Sequence, residues 1–254
     1  MNHVVLPHAK YGRTAGDKLR SLTKVNLSLA PQLAHTMLGG RRADDAVGAC
    51  QDHIDKGGFE FTSDSISKNI PFITPLLRDF AARRGEGPIR YMEIGAYEGR
   101  NLVFMDWLMA DRLDVTVIDP WFNEDFNPDE EYHGIEARYH ANMARTRFRS
   151  IRTLHSTSEV ELPKMLAAGE RYDIIYVDGS HAALAVMSDM CFCASLLSEG
   201  GMMVLDDYWH DISEITGPGV KQAVDHFLAI FGDFFTVDAV YRQVVVTKTR
   251  NIPR

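Results

Sequence analysis

From residue 89 onward, short continuous apolar runs alternate with longer amphipathic stretches. Runs at 89–94, 114–118, 150–154, 172–177 and 201–206 have the length and Val/Ile/Leu character of strands buried on both faces. Stretches at 99–110, 132–147, 159–168, 182–198 and 217–231 carry the wider period of helices. The last two runs, Phe234–Val237 and Tyr241–Thr247, lie too close together for a parallel return, which needs a crossover of about a dozen residues. They therefore form an antiparallel hairpin. Strand–helix alternation closed by a hairpin predicts an α/β fold, a doubly wound and mostly parallel sheet with a reversed strand near its C-terminal end.

Upstream the pattern is weaker. Leu19, Leu22, Val25, Leu27, Leu29, Leu33 and Leu38 suggest one or two amphipathic helices that stop at Gly39-Gly40. A second helix is expected from Asp44 to Lys56, ended by Gly57-Gly58. Pro71 suits the first turn of a further helix running to about Arg83. The expected organisation is a helical extension or lid over residues 1–57, also a candidate oligomer contact, and a sheet domain over 58–254. The acidic stretch Asn123–Glu131 reads as a surface loop or lid.

The chain has 254 residues with 45% apolar content, enough for one sizeable core. Its formal charge of −8 and the lack of any basic cluster larger than a pair disfavour a nucleic-acid partner. Three cysteines, Cys50, Cys191 and Cys193, cannot build a disulfide framework and read as reduced thiols. The start has no signal-peptide layout, and no apolar run approaches bilayer length. A cytoplasmic protein without a membrane partner is expected.

The chemistry concentrates where apolar runs end. In open α/β sheets ligands bind at the carboxyl ends of the strands, so polar residues there point at one crevice. Glu93-Ile94-Gly95 ends the first run and Gly99 opens the following helix. Glycine at such turns permits sharp bends and close backbone approach. The stretch is not the G-x-G-x-x-G of dinucleotide enzymes, because Tyr97 occupies the second glycine position. Asp119 ends the second run at the spacing of an acid that accepts hydrogen bonds from ribose hydroxyls. Asp178, three residues before His181, ends the fourth run, and Asp206-Asp207 end the fifth. Neighbouring strands lie about 4.8 Å apart, so Asp178, Asp206 and Asp207 can share a hard divalent cation, with Mg²⁺ favoured by oxygen ligation. Histidine is suited to accept a proton near neutral pH, which makes His181 the candidate base.

These residues resemble a family. Phe61-Thr62-Ser63-Asp64, Asn69-Ile70-Pro71, Met92-Glu93-Ile94-Gly95 and Glu98-Gly99-Arg100-Asn101 are similar to class I S-adenosylmethionine-dependent methyltransferases. The closest likeness is to catechol-type O-methyltransferases and to bacterial enzymes that methylate sugars and natural products. It covers roughly residues 59–248. The resemblance implies a Rossmann-like sheet of seven strands, with Glu93 and Gly95 at the methionine end of the cofactor and Asp119 on the ribose. It also implies Ser158 and Glu159 near the adenine, with Ser156 and Thr157 close enough to compete. Catechol-type enzymes hold Mg²⁺ with an aspartate after strand four and an Asp-Asn pair after strand five; this chain has Asp206-Asp207. They carry a lysine where His181 stands, whereas the natural-product branch carries histidine. Tyr208, Trp209 and His210 are candidate pocket residues, as are Trp121 and Phe122 on the adenine side.

The expected function is thus Mg²⁺-dependent O-methylation of a hydroxylated small molecule. Two alternatives remain at this stage: a metal-independent O- or N-methyltransferase, and, more remotely, a nicotinamide-dependent oxidoreductase. Ser180 lacks a G-x-S-x-G elbow and no Walker loop occurs, so serine-hydrolase and nucleoside-triphosphatase readings fail.

Overall fold

The alternating runs become seven strands of one sheet in a computed structural model of the chain, which describes residues 40–121, 134–209 and 219–253, with side chains from 45 onward. In chain order the elements are α1 (Gly40–Gly57), α2 (Ile70–Arg83), β1 (Ile89–Ile94), α3 (Arg100–Met109), β2 (Leu113–Asp119), α4 (Ile135–Met143) and β3 (Ser150–His155). They continue as α5 (Ser158–Ala167), β4 (Tyr172–Val177), α6 (Ala183–Leu196), β5 (Leu197–Leu205), α7 (Val220–Phe231), β6 (Phe235–Val240) and β7 (Val244–Lys248). The strand order is β3-β2-β1-β4-β5-β7-β6. All pairings are parallel except those of β7, which runs against both β5 and β6. This is the doubly wound sheet with one reversed strand that the sequence predicts.

The order reverses between β1 and β4, and that switch point is where such sheets open a ligand crevice. All six residues of β4 are buried, as continuous apolar runs under two helical layers require. The expected boundaries shift most at β5, which starts at Leu197 rather than 201. Leu197 pairs with Tyr172, the register slips, and pairing resumes at Met202. Gly200, at φ +72°, makes the kink.

Helix α1 contributes Ala46, Cys50 and Ile54 to the main core. Burial pushes the Cys50 thiol up to about 11, so it stays protonated. Cys193 is also buried and Cys191 exposed, and all three are free. The segment between α1 and α2 is tied to the sheet by two buried polar side chains. The Glu98 carboxylate accepts from Thr62 N at 2.7 Å and Thr62 Oγ1 at 2.9 Å, and pairs with Arg138 of α4. Asn142 of α4 exchanges two bonds with the Glu60 backbone, at 3.0 and 2.9 Å, and donates to Glu98 O at 2.9 Å. Among the described residues no helix is long and apolar enough to cross a membrane. The Leu19–Leu38 stretch, the acidic loop, Phe122, His133 and His210 lie outside the described residues.

Candidate active site

Past the strand ends the backbone ladder continues for one more residue. Asp178 N donates to Ile94 O at 2.8 Å and Asp206 N to Val177 O at 3.0 Å, so Gly95, Asp178 and Asp206 stand abreast at the rim of the sheet. Gly95 adopts φ +81°, and a Cβ there would lie 1.9 Å from Asp178 O. Glycine is expected at this position for a sharp turn as well as for close approach of a ligand. The structure shows that the neighbouring strand itself already demands it.

Asp119 organises the loop above β1. Its Oδ2 accepts from Ala96 N at 2.7 Å and Tyr97 N at 2.9 Å, and its Oδ1 from Trp121 N at 2.7 Å. Trp121 in turn donates its indole N–H to Tyr97 O at 2.8 Å. Tyr97 and Trp121 sit at φ +51° and +35°, and Asp207 at +51°. These are the non-glycine residues with positive φ among those described, and all three line one cavity. Such conformations cost on the order of 1–3 kcal/mol each and persist where the surroundings over-determine them, as functional sites do.

Glu93 is buried at the floor. Its Oε2 accepts from Tyr91 Oη, by a short bond, and from Asn101 Nδ2 at 2.8 Å. Asn101 Nδ2 also reaches Tyr91 Oη at 3.0 Å. Burial is the main reason the Glu93 carboxyl is pushed up to about 8; the two hydrogen bonds pull it down, and the charges of Asp119 and Asp206 push it up again. The Asn101 Oδ1 atom is buried and has no hydrogen-bond partner, while its residue lines the cavity. A buried acceptor without a donor is costly, which suits a site that takes an N–H or O–H group from a ligand.

The second group forms around Asp178. Asp178, His181 and Asp207 each offer a ligand atom within 4.8 Å of the others. His181 Nε2 lies 3.0 Å from Asp207 Oδ2. Burial, and then the charges of Asp206, Asp207, Glu93 and Asp119, hold the Asp178 carboxyl well above the usual carboxylate range. Asp206 departs from the expected sharing of one cation by three aspartates. Its Oδ2 is engaged by Tyr176 Oη, its Oδ1 by the Asp207 backbone N–H at 2.7 Å, and Asn69 Nδ2 lies at 3.4 Å. Gln243 donates to the same tyrosine oxygen. The side chain therefore faces the interior, because consecutive residues at a strand end point to opposite faces.

The cavity measures about 970 Å³. It is lined by Glu93, Gly95, Asp119, Ser158, Glu159, Asp178, His181 and Asp207, so every expected site residue except Asp206 meets there. Thr157 also lines it, next to Ser158. Trp121 stacks on Tyr139 at 4.5 Å and meets the rings of His155 and His140 at 5.7 and 6.1 Å. Those two histidines are exposed and support the Trp121 wall from outside. Asn101 was given no role as a lining residue, although it ends the Glu98–Asn101 motif and immediately precedes the apolar stretch Leu102–Met105.

Residues 92–208 match the model of a family described as a methyltransferase domain, a stretch running from β1 to the turn after β5. It contains every expected site residue. Over that stretch the chain is similar to a methyltransferase domain. The chain is also similar to solved structures. MycE from the mycinamycin biosynthetic pathway, in complex with Mg and SAH, is 19% identical with a TM-score of 0.51, covering 80% of this chain and 55% of that one. The present chain thus spans about half the length of MycE. An O-methyltransferase from Bacillus cereus in complex with SAH is 11% identical, TM-score 0.55, with 80% and 91% covered. Cofactor-bound Rv0187 from MTB is 14% identical, TM-score 0.52, with 95% and 100% covered. At these identities the likeness is one of fold. No curated protein sequence matches the chain.

Proposed function

We propose that the chain is an S-adenosylmethionine-dependent O-methyltransferase that uses a divalent cation, Mg²⁺ first among candidates, on a hydroxyl of a small molecule. The observation that carries this reading is one cavity with two chemically distinct ends. At one end stand a buried carboxyl, an unpartnered amide oxygen and a strained glycine loop. At the other stand two carboxylates and an imidazole within reach of a single ion. That MycE is in complex with both Mg and SAH supports the pairing.

Both groups fit the residues present. Glu93 and Asn101 would take the ammonium of the methionine end, with Asn101 Oδ1 gaining the donor it lacks. Asp119 would face the ribose with the lone pairs its three backbone bonds leave, and Ser158 and Glu159 would border the adenine. When bound, the cofactor supplies an activated methyl group. Asp178 and Asp207 would hold the cation, which supplies positive charge that makes a nearby hydroxyl more acidic. The concentration of Asp178, Asp206, Asp207, Glu93 and Asp119 favours such an ion, since close carboxylates cannot all ionise without a countercharge. His181 would take the acceptor proton at the ring nitrogen opposite Nε2, since Nε2 faces the Asp207 carboxylate and donates to it. Trp121 and the Tyr97 loop would keep water from the cofactor end.

Calorimetric titration of S-adenosylhomocysteine and of Mg²⁺ into the wild type and Asp178→Asn tests this. The expected result is cofactor-product binding in both and loss of Mg²⁺ binding in the variant, with methyl transfer to hydroxylated acceptors abolished by chelator. No binding of S-adenosylhomocysteine would sink the methyltransferase reading. Activity indifferent to chelator would leave a metal-independent enzyme.

A further inference from the structure

Helix α7 begins with a lysine where helix physics disfavours one. Lys221 is its second residue, and a cation in the first turn opposes the positive end of the helix dipole. The side chain is nevertheless buried, with only 7% of the residue exposed. Its ammonium lies 3.0 Å from Tyr208 Oη, pairs closely with Asp225 one turn on, and stands over the rings of Tyr208 at 4.9 Å and Trp209 at 5.5 Å. A buried lysine with that set of partners is built in.

Its partners immediately follow Asp207. Tyr208 is fixed at both ends: its backbone N–H donates to Arg242 O at 2.9 Å, and its hydroxyl donates to Asp225 Oδ1 at 2.7 Å. Trp209 packs edge-on against Tyr208, with ring centroids 4.9 Å apart, and its indole N–H donates to Tyr241 O. Asp207 itself holds φ +51°, in the left-handed region that is uncommon outside glycine although aspartate enters it more readily than most residues. That turn brings its carboxylate to His181 and Asp178 rather than inward beside Asp206.

We propose that Lys221 is a positioning residue: by clamping Tyr208 and Trp209 it holds Asp207 in the turn that completes, with Asp178, the cation site beside His181. The inference rests on the divalent-cation reading of that site. It assigns to α7, which contributes no lining residue to the cavity, control over cation affinity through one residue-to-residue chain. Lys221 acts on Tyr208, Tyr208 on its neighbour Asp207, and Asp207 on the ion.

The test uses the full chain with Mn²⁺ as probe, free Mn²⁺ being read by electron paramagnetic resonance, and S-adenosylhomocysteine affinity measured alongside by calorimetry. Lys221→Met, Tyr208→Phe and the double variant are compared with the wild type and Asp178→Asn. Removing a support of a metal ligand weakens binding by about 10- to 100-fold, and each single variant is expected to lose at least the lower figure. The double variant is expected to lose no more than the worse single one, because both residues act in one chain. S-Adenosylhomocysteine affinity is expected to stay within about twofold, since distant sites without shared partners behave independently. Unchanged Mn²⁺ affinity in both single variants overturns the proposal. So do losses that add, and so does a joint fall of both affinities, which marks general loosening. A wild type that binds Mn²⁺ no better than Asp178→Asn overturns the cation reading and this inference with it. Normal Mn²⁺ binding in the Lys221 variants, with loss in Asp178→Asn, overturns this inference alone.

Discussion

Replacing Glu93 with glutamine should stabilise the ligand-free protein at neutral pH and disable it. In the folded chain burial raises this carboxyl from 4.5 to about 8. A raised carboxyl contributes stability that is fully present below its unfolded value and is lost as pH rises through the folded one. Between those limits the unfolded chain releases the proton and the folded chain keeps it, which favours unfolding by about 1.4 kcal/mol per pH unit. From 4.5 to pH 7 the accumulated loss is on the order of 3 kcal/mol, a large share of an ordinary domain's stability. Glutamine has the shape of the protonated acid and still offers an oxygen to Tyr91 and Asn101, but it does not titrate. Urea unfolding of both proteins at pH 5, 6, 7 and 8 provides the assay. The gap between them should open steadily in favour of Glu93→Gln, while the variant binds S-adenosylhomocysteine far more weakly. Parallel stability curves would refute the reasoning, since they would mean that Glu93 carries the same charge folded and unfolded.

Two further substitutions separate local geometry from strain. Gly95→Ala adds the left-handed penalty of about 1–2 kcal/mol to a clash with the Asp178 backbone, so urea unfolding should show a loss of about 2–5 kcal/mol. Gly200→Ala, at φ +72° with open space around it, should cost only the first part. Asp119→Ala leaves the backbone N–H groups of Ala96, Tyr97 and Trp121 without their acceptor; at about 1–3 kcal/mol for each buried one, it should lower the melting temperature as well as S-adenosylhomocysteine affinity.

The sheet was legible because its strands are continuous apolar runs that stop at polar residues, and those stops proved to be the rim of the cavity. Asp178, His181 and Asp207, picked out at or just past those stops, come together within 4.8 Å. The inward turn of Asp206 was not, because it depends on Tyr176 and Gln243, whose nearness comes from the pairing of β4, β5 and β7. The same holds for Asp119: its strand-end position was visible, but its grip on the amides of Ala96 and Tyr97 arises only when β1 and β2 lie side by side. The start of β5 at Leu197 was hidden because the helical pattern runs on to about 198, and the strand continues through the kink at Gly200.

The bonds from Glu98 and Asn142 to the Glu60–Thr62 backbone have a consequence for how much chain this domain needs. The family match begins at residue 92, yet the loop that opens α3 is braced by a segment some thirty residues upstream. Residue 92 therefore marks where the shared chemistry starts and not where the folding unit starts. Cutting the chain there would expose the Glu98 carboxylate and the Asn142 amide together, removing the brace from the turn that opens α3. The upstream segment is part of the candidate site's foundation although it contributes none of that site's acids.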